Sequence, residues 1–239
     1  LLPIRLKRNE SRLALSVFTS GALGTSGASS GHIGSYASLR NMVADDYVSS
    51  ETLVRSRSVN SFDSHNYDMR HHLPVRVGVS AVYYLTRNVA VEAGVSYSHH
   101  RSDFSYSDDN MSVTGEQRLD YIGLPLNMQL RIAGWNRFRF YASGGVLFEK
   151  LMTGSISGNV TDNKGSVTSK RESINEKALQ CSLNLSAGAQ YDITDVVGVY
   201  VEPGVAYHID NGSTLRNIYK DRPVDFNLNV GLRFSLNRH

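Results

Sequence analysis

Ala178-Leu-Gln-Cys-Ser-Leu-Asn-Leu-Ser-Ala-Gly-Ala-Gln-Tyr-Asp-Ile193 alternates apolar and polar residues almost without a break. Leu179, Cys181, Leu183, Leu185, Ala187, Ala189, Tyr191 and Ile193 share one face. Gln180, Ser182, Asn184, Ser186, Gly188 and Gln190 share the other. A period of two belongs to a β-strand with one apolar side.

The same pattern recurs outward in both directions. Residues 73–86 place Val75, Val77, Val79, Ala81, Tyr83 and Leu85 opposite Arg76, Gly78, Ser80, Val82 and Tyr84. Residues 89–101 follow after only Arg87-Asn88, which reads as a tight hairpin. Residues 117–133 and 137–152 flank a Gly134-Trp135-Asn136 turn, and residues 196–209 follow a turn at Thr194-Asp195. Residues 225–236 close the series, and Leu13, Leu15 and Val17 mark a first strand within 12–24. The reading is eight strands and no helix.

Connections alternate in length. Strands two and three, four and five, and six and seven are joined by a few residues. The remaining connections are long and polar: 25–72, the link between strands three and four, 153–177 and 210–224. Short turns on one rim and long loops on the other are the layout of an outer-membrane barrel, with the short turns periplasmic. The expectation is therefore an all-β, eight-stranded, antiparallel up-and-down transmembrane barrel over 12–239. Long loops lie outside, and residues 1–11 form a periplasmic segment or linker end.

Composition is compatible with that reading and excludes others. Hydrophobic residues make up 41% of the 239, but no run reaches the ~18 apolar residues of a spanning helix. Barrel strands escape such a scan because only every second residue must be apolar. The net charge of +3, from 25 basic and 22 acidic residues, gives no footprint for nucleic acid. Cys181 is the one cysteine, so there is no disulfide framework.

A soluble ligand-binding barrel also alternates, with its apolar face inward. Three features favour the inverted arrangement. The polar face is Gly, Ser, Asn, Gln and Tyr, whereas a wet face carries many Lys and Glu; the lysines Lys7, Lys150, Lys164, Lys170, Lys177 and Lys220 fall in tails, loops or strand ends. The strands exceed the ~9–11 residues that cross a bilayer. Tyr83, Tyr97, Trp135, Phe138, Phe148, Tyr191 and Tyr207 gather near strand ends, where amphipathic rings meet the membrane boundary.

With the apolar face out, Glu92, Glu149, Glu202, Arg76, Arg131, Arg139 and Arg233 point inward. Buried charges persist when paired, and eight strands leave a lumen that side chains fill. The expectation is a Glu–Arg network that plugs the barrel, so that Glu202→Leu destabilises it by leaving an arginine unpaired.

Catalytic chemistry has candidates without a specific pattern. Lipid A-modifying barrels use His with Ser and an acid. Here His65, His71, His72, His99, His100 and His208 accompany Asp63, Asp103, Asp210 and Ser213. His208 and Asp210 share a strand face, but no serine stands at a fitting spacing. His71-His72 and His99-His100 lie at the outer ends of neighbouring strands, where they are rim residues more often than metal ligands. No catalytic, cofactor or metal residue is assigned.

Several stretches resemble a known family. They are His71-His-Leu-Pro-Val75, Tyr84-Leu-Thr86, Arg118-Leu-Asp-Tyr-Ile-Gly-Leu-Pro-Leu126, Val199-Tyr-Val-Glu-Pro-Gly-Val205 and Asp225-Phe-Asn-Leu-Asn-Val-Gly-Leu-Arg-Phe234. Together they are similar to the PorT-like, "porin family" outer-membrane barrels of Bacteroidota. The last stretch also resembles the C-terminal signal read by the barrel-assembly machinery. The resemblance implies a bacterial outer-membrane location, contact with outer-membrane lipid and lipopolysaccharide, and room for periplasmic or envelope protein partners. Some members are the C-terminal barrel of a longer chain with an anti-sigma region. Leu1–Ser11 suits the end of such a linker and equally the start of a free-standing barrel.

The leading functional reading is a non-enzymatic outer-membrane anchor or interaction module, with envelope signalling as its finer form. The alternatives are a lipid A acyltransferase or deacylase and a soluble ligand-binding barrel.

Overall fold

A computed structural model describes residues 12–22, 27–32, 66–108, 111–162, 165–174, 178–210 and 223–236. The segment 1–11, Asp63, His65, Ser213 and most of the 25–72 and 210–224 connections lie outside the described residues. The strands are β1 (Leu13–Ala22), β2 (Gly27–His32), β3 (Asn66–His71), β4 (Val75–Tyr84), β5 (Val89–Asp108), β6 (Met111–Trp135), β7 (Phe138–Asp162), β8 (Val167–Ile174), β9 (Leu179–Asp192), β10 (Val197–Ile209) and β11 (Val224–Leu236). Eight of them close a ring in the order β1-β4-β5-β6-β7-β9-β10-β11, every pair antiparallel. The first and last strands seal it, from Leu13 opposite Leu236 to Ala22 opposite Asn227. Closure removes the free edges that no bilayer can hydrate.

The faces sort as the alternation requires. Outward residues are apolar and uncovered by protein: Leu185 is 65% exposed and Ile132 68%. Inward residues are polar and buried, among them Ser16, Ser80, Gln129, Ser143, Glu149, Ser182, Gln190 and Arg233. This is the reverse of a soluble barrel, because lipid covers the outside and side chains fill the inside.

The periplasmic turns have local causes. The Thr86 hydroxyl accepts the backbone N–H groups of Asn88 and Val89, and Thr194 does the same for Val196 and Val197. A threonine hydroxyl thus caps each hairpin as a backbone carbonyl would. In the third turn Asn136 takes φ 55°, a left-handed geometry that asparagine tolerates.

Two expectations need correction. The strands do not stop at Arg101, Gln117 and Met152: β5, β6 and β7 run on, and only 109–110 separates β5 from β6. The 153–177 connection is largely the end of β7 plus β8, which pairs with it. The polarity of these tips hides their alternation, yet Phe104, Val113, Leu119, Ile156 and Val160 are all buried. A register shift between Asp120 and Tyr121, opposite Met152, also inverts the phase of β7. Below it Glu149 and Leu151 are the buried residues; above it Ile156 and Val160 are. The inner side of this extension therefore mixes these apolar residues with buried Gln117 and Ser102, whereas its outer side carries Arg101, Asp103, Glu116 and Arg118.

Candidate functional site

The functional question falls on the lumen, where three polar tiers stack from the periplasmic to the outer end. In the lowest tier Arg139 meets Asp192 at 2.5 Å. Arg131 directs Nη1 to the backbone carbonyl of Arg87 at 3.5 Å.

The middle tier is built around Arg233. Its Nε donates to Ser16 Oγ at 3.2 Å, and Nη1 donates to Gln190 at 2.9 Å and Gln129 at 3.4 Å. The guanidinium lies 4.8 Å from the ring centre of Tyr200 and 5.5 Å from that of Tyr141. Two glycines make room for these rings. A Cβ on Gly188 would come within 2.2 Å of the Tyr141 ring, and one on Gly231 within 2.8 Å of Tyr200. The carboxylates sit one step away. Glu92 accepts from Ser80 and, at 2.5 Å, from Gln129; Glu202 accepts from Tyr141 at 2.9 Å and Ser186 at 2.5 Å. Gln129 thus links Arg233 to Glu92, and Tyr141 links it to Glu202. A cavity of about 60 Å³ remains between Glu92, Glu202 and Arg76, edged by Asn127, Asn184, Asn227 and Asn229.

In the outer tier Glu149, fully buried, accepts from Arg76 at 3.2 Å and from Ser98 at 2.7 Å. Above it lie buried histidines. His71 Nδ1 is 2.8 Å from Ser102 Oγ, and His100 packs edge-on against Tyr121 with ring centres 5.1 Å apart. The outward row at this height is His99 and Asp120, already above the apolar band that ends at Tyr97 and Ile122. Burial there drives the His100 imidazole down to about 4, partly opposed by the Glu149 carboxylate and reinforced by Arg76.

The expected network thus takes a different form from direct Glu–Arg pairing. Arg76 meets Glu149, but Arg139 meets an aspartate, and Glu92 and Glu202 are reached through amides and hydroxyls. Loss of Glu202 would strip an acceptor from Tyr141 and Ser186 rather than from an arginine. The neutral members Ser16, Ser80, Gln129, Gln190, Tyr141 and Tyr200 were not singled out by charge. Their signal is their phase, since all lie on the inward side of their strands.

The candidate histidines separate. His71 and His100 turn inward, while His72 and His99 face outward beside Asp103 (2.8 Å) and Asp120 (2.6 Å). Among the described residues no group of three or more His, Cys, Asp or Glu is placed to hold a metal. Asp225 stands beside His208, its Oδ2 3.4 Å from Nε2. A serine also stands there: Ser182 Oγ is 2.7 Å from His208 Nδ1, because the two residues are directly paired across β9 and β10. Linear spacing could not reveal this neighbour. On the outer surface Glu116 lies between Arg118 and Arg101, the latter at 3.1 Å. The hydrogen bond from Arg118 holds the Glu116 carboxyl below the usual carboxylate range.

Residues 48–237 match the model of the family described as "Outer membrane protein beta-barrel domain". No curated protein matches the chain. Among solved structures, the chain is similar to the outer membrane protein OprG of Pseudomonas aeruginosa, with 10% identity, a TM-score of 0.49, and 96% of this chain and 98% of that one covered. It is also similar to a major outer membrane protein of Thermus thermophilus, with 14% identity, a TM-score of 0.43, and 93% and 99% covered. Neisserial surface protein A aligns at 11% identity and a TM-score of 0.41, with 96% and 100% covered.

Proposed function

Because the chain belongs to the outer membrane protein β-barrel domain family and resides in the outer membrane, we propose that it is a closed, non-enzymatic anchor that presents a sheet extension at the cell surface. One observation carries this reading. The middle tier seals the lumen with Arg233, Gln190, Gln129, Tyr141 and Tyr200, all under a tenth exposed. A sealed lumen leaves the extension of β5–β8 and the outer connections as the surfaces available to partners. In this reading lipopolysaccharide and outer-membrane lipid contact the outward face, the barrel-assembly machinery inserts the chain, and envelope proteins are its interaction partners. The finer form, a Bacteroidota PorT-like barrel at the outer-membrane end of an anti-sigma signalling chain, rests on the sequence resemblance.

Single-channel recording in planar bilayers tests the closed lumen. The expected trace shows no stable conductance steps, and steps of a defined size would overturn the reading. For the signalling form, deletion should alter transcription of an envelope regulon; an unchanged transcriptome rejects it.

A second reading has one specific observation in its favour. Ser182 Oγ lies 2.7 Å from His208 Nδ1 and Asp225 Oδ2 lies 3.4 Å from His208 Nε2, a serine, histidine and acid grouped as acyl transfer would use them. Against it, Ser182 has no exposed surface and faces the lumen. Lipid A mass spectrometry with and without Ser182→Ala separates the readings: an unchanged profile rejects the enzyme.

A further inference from the structure

At the periplasmic mouth of the lumen is a second cavity, of about 30 Å³. That exceeds the ~10–15 Å³ a single water requires. Its walls carry Arg87, Arg131, Arg139 and Arg233, together with the amides of Gln129 and Gln190. None of the residues lining it is acidic. Asp192 engages Arg139 but does not line the space.

Four guanidiniums around one small volume repel one another, most strongly at its inner end where Arg233 is buried, while Arg87 at the rim stays exposed to water. Hydrogen bonding sharpens the point. Arg139 Nε and Arg233 Nη2 are buried and have no acceptor among the described residues. Arg233 is 2% exposed, and its Nε and Nη1 are already occupied by Ser16, Gln190 and Gln129. A buried charged donor without an acceptor is costly, so its presence needs a reason. An acceptor with several oxygens and negative charge supplies one, and guanidinium forks match such an acceptor geometrically.

We propose that this cavity binds one phosphate group from the periplasmic side, Arg87 and Arg131 at the rim drawing it in and Arg139 and Arg233 closing on it. Arg87 sits in the β4–β5 hairpin and Arg131 at the periplasmic end of β6, so the entry faces the periplasm. The group can come from free inorganic phosphate or from a phospholipid headgroup of the inner leaflet.

The test uses the full chain refolded in a non-ionic maltoside detergent without phospholipid. Its unfolding temperature is followed through Trp135, the one tryptophan, which stands in the β6–β7 hairpin. Inorganic phosphate is titrated against chloride at matched ionic strength. The expected result is an unfolding temperature that rises with the logarithm of phosphate concentration and not with chloride. In the double variant R87Q/R131Q, which leaves the middle tier intact, apparent phosphate affinity should fall at least about tenfold. A parallel arm places the chain in vesicles of phosphatidylglycerol and of a neutral glycolipid, both free of inorganic phosphate. Stabilisation by the phosphatidylglycerol vesicles alone, lost in the same variant, assigns the phosphate to a headgroup. Absence of any phosphate effect beyond chloride in both arms overturns the proposal, as does an equal effect in wild type and R87Q/R131Q.

Discussion

Glu149→Leu tests how the lumen is held together. Glu149 has no exposed surface and accepts from Arg76 and Ser98, whereas the Arg76 side chain keeps 19% exposure. Leucine removes the carboxylate and leaves the guanidinium and a serine hydroxyl without this acceptor. Breaking one side of a buried pair costs ~3–5 kcal/mol. Residual access of Arg76 to water moves the expectation to the lower end, ~3 kcal/mol. Arg76→Leu should cost a similar ~3–5 kcal/mol, because Glu149 then keeps only Ser98 of these two donors. The double variant replaces both charges with hydrocarbon of similar volume, and such replacements are often close to neutral. The double variant should therefore cost at least ~3 kcal/mol less than the sum of the singles, a coupling favourable to the pair. Urea unfolding in phosphatidylcholine vesicles gives the free energies, read by heat-modifiable gel mobility and by Trp135 fluorescence. A double variant that costs the full sum of the singles would refute the reasoning, because Arg76 and Glu149 would then act independently.

Three further outcomes are expected. Cys181 lies on the outward face between Leu179 and Leu183, so a water-soluble maleimide should label it slowly in the folded barrel and a lipid-soluble one quickly; rapid labelling by the former reverses the assigned faces. Burial lowers His100 to about 4 from an ordinary 6.5, so the folded state binds its proton later than the unfolded state. The stability it contributes is complete above pH 6.5 and is lost as pH falls toward 4, by ~3 kcal/mol. His100→Phe should flatten that part of the urea-derived pH profile, and an unchanged slope excludes His100 as its source. Gly188→Ala should cost at least ~1–3 kcal/mol by displacing Tyr141 from beside Arg233; wild-type stability would show that the ring has another place to go.

The ring of strands was legible because lipid imposes a strict rule. Each outward position in 178–193 must be apolar, so the period of two is uninterrupted there. The rule ends where the membrane ends. Beyond Tyr97 and Ile122 the outward face meets water, and Arg101, Asp103, Glu116 and Arg118 take the positions that Val and Leu hold below. The strands continue, but their signal weakens because polar residues now stand outside and only scattered apolar ones inside. The phase change opposite Met152 removes what signal remained in β7. A reading tuned to the bilayer therefore places a loop where the chain still makes sheet.

The lumen was half legible for a related reason. Its charged members stand out by type, and their phase puts them inside. Which of them meet depends on register, a property of pairs of strands rather than of one. Ser182 lies 26 residues from His208 in the chain yet directly opposite it in the sheet. Likewise Tyr141 and Tyr200 flank Arg233 only because Gly188 and Gly231 leave space on neighbouring strands. Polar tiers of this kind also explain why an arginine at 2% exposure is tolerated in the barrel's centre. Fixed amides and hydroxyls relay between it and Glu92 and Glu202, so this arginine need not meet a carboxylate directly. That relay thins toward the periplasm, where four arginines share one cavity that no acidic residue lines. The same inward phase that fills the centre therefore leaves the mouth electropositive, and it is there that an external anion completes what side chains complete higher up.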